Sequence, residues 1–272
     1  MALTATDTAM IAVEAGAWQP LPKPLGARQA VFAIGDVHGF AEHLAALQGF
    51  VRQRIVAAYD PSQVTMLWLG DYIDRGPNPL VALDMVRKGL ELEGLREVPL
   101  CGNHEQFMID FLDAPDDSEG LLASWLVNGG WDTVKAILPG LRPERPHALA
   151  KALRDAVGQQ RLAFLRSLTL QHREGGYVFA HAGINPKRAL DDQQRDDLIW
   201  IRRPFLTPES WPHDVVVVHG HTPGPPRVLS HRIGLDSGVF YSKQLTALEL
   251  CPEGLRFITA SAPGSLPLDE DW

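Results

Sequence analysis

The chain is short of cysteine, of basic runs and of long apolar stretches, and each shortage removes a class of protein. Cys101 and Cys251 are its only thiols. They are too few for a disulfide framework and form no CxxC or other thiolate metal motif, which fits a cytoplasmic setting. The net charge is −8 and no long Lys/Arg run occurs. Non-specific nucleic-acid binding is therefore not expected, although a local basic pocket stays open. No apolar stretch approaches ~20 residues, so no transmembrane helix and no membrane partner are expected. The start, MALTATDTAMIAVEAGAW, has no Lys or Arg and carries Asp7 and Glu14; it does not read as a secretory signal. A strong linker, an internal repeat and a low-complexity tract are also missing. What remains is a 272-residue chain with 45% hydrophobic residues, enough for one sizeable core. We expect a single domain over 1–272. Its proline-rich start, 1–28, reads as an extended lead-in, its core runs over about 29–260, and the polar tail SAPGSLPLDEDW is expected to fray.

Three early segments share one pattern. QAVFAIGDVHG and VTMLWLGDYIDRG are apolar runs that end in Gly-Asp, and REVPLCGNHE ends in Gly-Asn-His. Each reads as a buried strand followed by a polar loop. Between them, 40–59 and 79–95 have helical spacing, the second opening after Pro77 and Pro79 and closing near Gly94. Strands alternating with helices predict parallel pairing with right-handed crossovers. In such sheets the carboxyl ends of the strands build the ligand site. Residues 105–168 read as a mostly helical cap. The last third returns to strands in GYVFAHAG, DVVVVHGHTP, RIGLDSG and KQLTALEL, with RFITA as a candidate edge. The fold class is thus α/β, with two sheets and helices outside.

The strand ends collect Asp36, His38, Asp71, Asn103, His181 and the histidines of VHGHTP. These are oxygen and nitrogen donors without thiolate, a mixture that suits Mn, Fe or Zn better than Ca or Mg. One site can be drawn from Asp36, His38 and Asp71, and a second from Asp71, Asn103, His181 and His221. Asp71 would then bridge two divalent ions ~3.5–4 Å apart, the spacing of two-metal hydrolytic sites. Asp74 and Arg75 lie just beyond and can face a substrate, because a guanidinium matches a pair of phosphate oxygens. A lone D-x-H is more often a turn or a helix cap; the ordered set reverses that balance.

GDVHG, GDYIDRG, GNHE, HAG and GHTP, in this order over roughly 31–250, resemble the signature of the calcineurin-like metallophosphoesterase superfamily. GDYIDRG and GNHE are similar to the PPP-type serine/threonine phosphatases. Symmetrical diadenosine tetraphosphatases and PrpE-like phosphatases are related. The resemblance implies a sandwich of two mixed β-sheets flanked by helices, with a helical cap insertion. It implies a dinuclear centre, with two Mn²⁺ expected and Fe or Zn as alternatives, held by the ligands above. It implies His104 as the acid that protonates the leaving oxygen, Asp74 as the group that orients it, and Arg75, Asn103 and Arg202 as the phosphate holders. A metal-bound hydroxide would attack in line, with no phospho-enzyme. Many relatives carry GHxH where this chain has GHTP. His221 is therefore the expected ligand, and His219 is left as a strand residue or a donor behind it. The implied activity is hydrolysis of phosphoric monoesters, with a serine/threonine phosphoprotein as the leading substrate. Diadenosine polyphosphate or another small phosphoester is the alternative. A non-catalytic phosphoprotein-binding module is disfavoured, because no ligand and neither member of the His104–Asp74 pair is missing.

Outside the motifs, His43, His147, His172, His213 and His231 are expected on the surface or on helix faces. Cys101 is expected as a small buried strand residue. Asn128 to Trp131, NGGW, reads as a turn or cap that could approach the substrate. Trp125, Trp131, Trp200 and Trp211 are expected to pack cores rather than to stack on a base.

Overall fold

The computed structural model describes residues 10–115, 119–141 and 145–266. The chain's first nine residues and its last six, half of the tail expected to fray, lie outside that description.

In strands β1 (Ala12–Ala15), β2 (Ala30–Ile34), β3 (Val64–Trp68) and β4 (Arg96–Pro99) the sequence alternates sides, and the middle two are buried on both. Val31 and Ala33 of β2 face one apolar cluster, and Phe32 and Ile34 face another. A strand covered on both faces has no polar side, which is why these runs read as continuous apolar stretches. Between them, α1 (Ala41–Ala58) places Leu44, Leu47, Val51 and Ile55 on one buried face. α2 (Pro79–Lys88) starts on Pro79, where no amide donor is needed, and stops at Gly89 with φ 69°. It ends well before Gly94, because Gly89 is the first residue able to turn out of the helix in that way.

The helical cap follows: α3 (Asn103–Asp113), α4 (Glu119–Trp125), α5 (Trp131–Ile137), α6 (Pro146–Val157) and α7 (Gln159–Ser167). A single wide turn, Leu126–Gly130, joins α4 to α5 and holds Gly129 at φ 112°. The second half contributes β5 (Gln171–Glu174), β6 (Tyr177–Ala180), α8 (Arg195–Trp200), β7 (Val216–His219), β8 (Arg227–Val228), β9 (Arg232–Gly234), α9 (Val239–Ser242), β10 (Gln244–Cys251) and β11 (Gly254–Ser261).

The strands form two mixed sheets, ordered β1-β11-β10-β2-β3-β4 and β5-β6-β7-β9-β8. β2, β3 and β4 are parallel, as are β6, β7 and β9. The sheets face each other across Val31, Leu67, Leu69, Phe179, Val218 and Leu248. Helices cover the far side of the first sheet, and α8 with Phe205 covers the far side of the second. Burying each such side chain is worth about 1.5–3 kcal/mol, so this double layer fixes the strand ends rigidly. Two expectations are corrected. RFITA is no edge, since β11 lies between β1 and β10. The lead-in supplies the edge strand itself, because β1 pairs with β11 from Ala12–Ser261 to Ala15–Ile258. No helix of the described residues is long and apolar enough to cross a membrane.

Candidate active site

The loops after β2, β3, β4, β6 and β7 converge at one end of the sandwich. They carry Asp36 and His38, Asp71 to Arg75, Asn103 and His104, His181, and His221. Their backbones are unusual. His38, Asp71, Asp74, Arg75 and His221 all have positive φ, between 46° and 70°, a region that non-glycine residues rarely occupy and that costs of order 1 kcal/mol each. Two glycines allow the backbone to come close. A Cβ on Gly102 would collide with Oδ1 of Asp71, and one on Gly220 with Oδ1 of Asp36.

Asp71 stands between two groups of donors. His38, Asp71 and His104 form one, and Asp71, His181 and His221 the other, with donor atoms within 4.8 Å in each group. Its oxygens divide between them. Oδ2 lies 3.7 Å from Nε2 of His38 and 3.7 Å from Nε2 of His104, while Oδ1 lies 3.4 Å from Nε2 of His181. Asn103 Oδ1 lies 2.9 Å from both His181 Nε2 and His221 Nδ1. Ligands held at ~2.1 Å by one ion at near-right angles stand about 3 Å apart, so this spacing fits a shared cation. The tautomers fit as well. Nδ1 of His38 faces the Ile73 carbonyl at 3.0 Å and Nδ1 of His181 faces the Leu69 carbonyl at 2.8 Å. A carbonyl only accepts, so each Nδ1 carries a proton and each Nε2 is turned inward. Asp36 lies outside both groups. Its Oδ2 accepts the His221 amide at 2.9 Å, and its Oδ1 is buried with no protein partner. An orphaned carboxylate oxygen beside these imidazoles is what a divalent ion would satisfy.

The electrostatics agree. Burial opposes the charge on Asp71, yet the imidazoles of His181 and His104 outweigh it and hold its pKa well below the usual range. Burial opposes protonation of His181 too, but Asp71 prevails and pushes that imidazole up to about 10. Burial, then the nearby His181, pushes His221 down to about 2. A bound cation would take the place of the His181 proton.

His104 is fixed from behind. Its Nδ1–H donates to Oδ2 of Asp74 at 2.7 Å, leaving Nε2 directed at Asp71. Burial lowers its pKa and the carboxylates of Asp71 and Asp74 raise it, with a net rise. The same Asp74 oxygen accepts Nε1–H of Trp125 at 2.8 Å, and Oδ1 accepts the Thr133 hydroxyl at 2.6 Å. Trp125 and Thr133 come from the cap, and nothing local in the sequence marks them. Glu105 is another residue missed. Its carboxylate accepts the amides of Asp71 and Gly102 on Oε2, and of Tyr72 and Ile73 on Oε1. Burial, then Asp71, pushes its pKa up to about 7 against those donors.

Arg75 is gripped by the turn that NGGW was expected to form. Its amide donates to the Gly129 carbonyl at 3.1 Å and its Nε to the Asn128 carbonyl at 3.3 Å. Its guanidinium lies over the Phe240 ring, and Nη1 donates to His38 Nε2 at 2.6 Å. That lone pair can serve Arg75 or a cation, one at a time. Arg202 Nη2 donates to the His221 carbonyl at 3.4 Å, placing it at the rim.

Other expectations fare unevenly. His43 lies on a helix face but is buried, and His172 is buried in β5, neither on the surface nor on a helix. Trp125 is buried, whereas Trp131 and Trp200 are 42% and 37% exposed and are not core. Cys101 is buried as expected, just beyond β4. His219 is buried on the outer face of its sheet, where burial and then Arg232 push it down to about 3. A cavity of about 660 Å³ in the cap, among Leu126, Trp131, Val134 and Leu149 with Lys135 and Arg145 in its wall, includes no residue of the donor loops.

The model of a family described as calcineurin-like phosphoesterase matches residues 30–249. The asymmetrical bis(5'-nucleosyl)-tetraphosphatase PrpE of Bacillus subtilis is 28% identical over 261 residues, which cover 87% of this chain and 96% of that protein. Serine/threonine-protein phosphatase 1 of Salmonella typhimurium is 30% identical over 229 residues, covering 79% and 89%. A symmetrical bis(5'-nucleosyl)-tetraphosphatase of Methylococcus capsulatus is 30% identical over 158 residues, covering 58% of this chain and 44% of that protein, so this chain spans under half of its length. Among solved structures, one described provisionally as a diadenosine tetraphosphatase has a TM-score of 0.59 at 21% identity, covering 90% of this chain and 98% of that one. A cold-active protein-tyrosine phosphatase of Shewanella has a TM-score of 0.55 at 18% identity, covering 88% and 80%. At such identities the two structures speak for the fold.

Proposed function

The chain belongs to the calcineurin-like phosphoesterase family, and from that premise we propose that it hydrolyses phosphoesters with His104 as the general acid. The observation that carries this reading is the position of Asp71, shared between two groups of imidazole donors while His104, backed by Asp74, points at it.

We assign Asp36, His38 and Asp71 to one divalent ion and Asp71, Asn103, His181 and His221 to the other; Mn, Fe or Zn suits these donors. Bound there, the pair would supply positive charge to the phosphoryl oxygens and lower the pKa of a water to about 7. The protein's own groups do the rest. Arg75 and Arg202 hold the phosphoryl group from the rim, and Arg75 leaves His38 Nε2 to do so. Asn103 shares in holding it. As the bond to the leaving oxygen breaks, His104 gives that oxygen the proton on Nε2. Asp74 keeps Nδ1–H pointing away from the substrate, so only one nitrogen can act. Burial of Asp71, Asp74, Asn103, His104 and the other imidazoles keeps bulk water from competing for these contacts, while the two arginines stay at the rim.

For the substrate, the leading reading is a phosphoserine or phosphothreonine protein, supported by the GDYIDRG and GNHE loops and by the Salmonella relative's name. A second reading, a dinucleoside polyphosphate, is favoured by Trp200. Its half-exposed ring stands edge-on to His221 at 5.9 Å, where a base could stack, and two of the relatives are named for that substrate.

The test is a parallel turnover assay of Mn-loaded protein on a phosphothreonine peptide and on diadenosine tetraphosphate, with Asp71→Asn as the blank. Faster peptide turnover supports the first reading and faster dinucleotide turnover the second. No turnover of either, or of an aryl phosphate, sinks the hydrolase assignment.

A further inference from the structure

Behind the loop that carries His221 lies a small pocket of about 190 Å³, on the outer side of the second sheet. Its walls include Leu206, Thr222, Gly224, Arg227, Arg232 and Asp236. Two guanidiniums thus meet in one pocket of a chain whose net charge is −8. Neither makes an ion pair among the described residues. Arg232 is half-buried. Its Nη1 donates to Nε2 of His219 at 3.0 Å, and its Nε is buried with no partner at all. The charge that bears on it is that of Arg227, of the same sign. Thr222, the residue after His221, also buries a hydroxyl without a partner. Asp236 does not neutralise the pair. Its Oδ1 accepts the Gly238 amide at 2.9 Å, and its Oδ2 is buried unpartnered.

A partly buried cation with no counter-charge is costly. Its like-charged neighbour adds to that cost, and a bound anion would remove both. A guanidinium fork and a hydroxyl are the groups that recognise a tetrahedral oxyanion. The pocket also adjoins the loop of the candidate centre, since Thr222 in its wall directly follows His221. Arg202 touches the His221 carbonyl, and the Arg202 carbonyl accepts the amide of Leu206 in the pocket wall. The segment that carries Arg202 at the rim of the centre is thus joined to the wall of the pocket that holds Arg227 and Arg232.

We propose that Arg227, Arg232 and Thr222 form an oxyanion subsite that takes a phosphate group other than the one being hydrolysed. That group is either a distal phosphate of a polyphosphate substrate or free orthophosphate. Anion binding stands without any catalysis; only the assignment to substrate rests on the phosphoester reading above.

The experiment is calorimetric titration of orthophosphate and of pyrophosphate into the Mn-loaded protein, into Asp71→Asn, and into each with Arg227→Gln added. Asp71→Asn weakens binding at the centre, so the binding left to it reports the subsite without any turnover. Adding Arg227→Gln is expected to weaken that binding about tenfold, the worth of one charge-assisted hydrogen bond. Arg227 sits in a two-residue strand, and its replacement, which takes a like charge from beside Arg232, is expected not to lower the thermal midpoint. Arg232→Lys keeps the charge without the fork and is expected to lose part of the affinity. Kinetics then separate the sources. A raised KM for diadenosine tetraphosphate, with aryl phosphate unchanged, assigns the subsite to substrate. Unchanged KM values with weaker inhibition by orthophosphate assign it to the free anion. Equal affinity for both anions with and without Arg227→Gln overturns the proposal, whatever the enzyme hydrolyses.

Discussion

The hydroxyl of Thr133 accepts the backbone amide of Asp74 at 2.9 Å and donates to that residue's Oδ1 at 2.6 Å. One side chain of the cap thus holds both ends of a strained residue, since Asp74 has φ 70°. Trp125 completes the hold on Oδ2. The cap therefore shapes the His104–Asp74 pair from behind. Thr133→Val keeps the volume and removes the hydroxyl, leaving a buried amide and a buried carboxylate oxygen unpartnered. We expect a loss of about 1–3 kcal/mol in urea unfolding. We also expect turnover to fall about tenfold or more, part of the 10²–10⁴ that general acid catalysis supplies. The fall should be steeper for alkyl than for aryl phosphates, because a poor leaving group needs the proton more. Thr133→Ser should restore most of both. A uniform fall across leaving groups would mean that Thr133 acts on stability alone.

Glu105 organises the loop that carries Asp71. The amides of Asp71, Tyr72, Ile73 and Gly102 all point at its carboxylate. Glu105→Gln is nearly isosteric but exchanges one acceptor oxygen for an amino group facing donors. We expect a loss of about 2–4 kcal/mol from denaturant titration, since hydrogen bonds to a charged group are worth about 1.5–3 kcal/mol. A loss below about 0.5 kcal/mol would show that the loop holds its shape by packing instead.

The residues that could be read from the sequence are those that act where the chain leaves a strand. Asp36, Asp71, Asn103, His181 and His221 each follow an apolar run within a few positions, so the run announces the donor. The parallel pairing of β2, β3 and β4 was legible for the same local reason, strand and helix alternating. Trp125 and Thr133 were not legible, because their partner Asp74 lies 51 and 59 positions away. Glu105 could have been found. It lies three residues after Gly102, where a carboxylate can reach back to the amide that precedes a helix. β1 escaped because four residues, three of them exposed, carry no pattern of their own; they become a strand only against β11, at the far end of the chain.

Metal loading tests the shared role of Asp71. If its two oxygens serve two ions, Asp71→Asn removes charge from both sites at once. Metal analysis of the purified variant should then show both ions reduced together, and turnover should fall at least about 10²-fold. His221→Asn, on one side only, should deplete one ion more than the other. Full metal content and near-normal turnover in Asp71→Asn would rule out the bridging assignment.

Acid sensitivity of the fold should trace in part to His43, in the first turn of α1 just after the loop that carries His38. Its Nε2 faces the Lys243 carbonyl at 3.1 Å, so the neutral ring donates there. Burial lowers its pKa below the ordinary 6.5; the Lys243 carbonyl and Glu42 oppose that, and the Lys243 charge adds to it. The sign follows from linkage. A group whose folded pKa is depressed binds protons more readily when unfolded, so stability rises with pH through that window. The contribution of His43 is complete above about pH 6.5 and is lost as pH falls towards the folded value. His43→Gln keeps a donor for Lys243 and cannot titrate. Its unfolding free energy, measured in urea at steps from pH 7.5 down to pH 5, should fall less steeply than that of the parent chain. Parallel curves would mean that His172, His213 and His231, whose pKa values burial also lowers, carry the acid sensitivity instead.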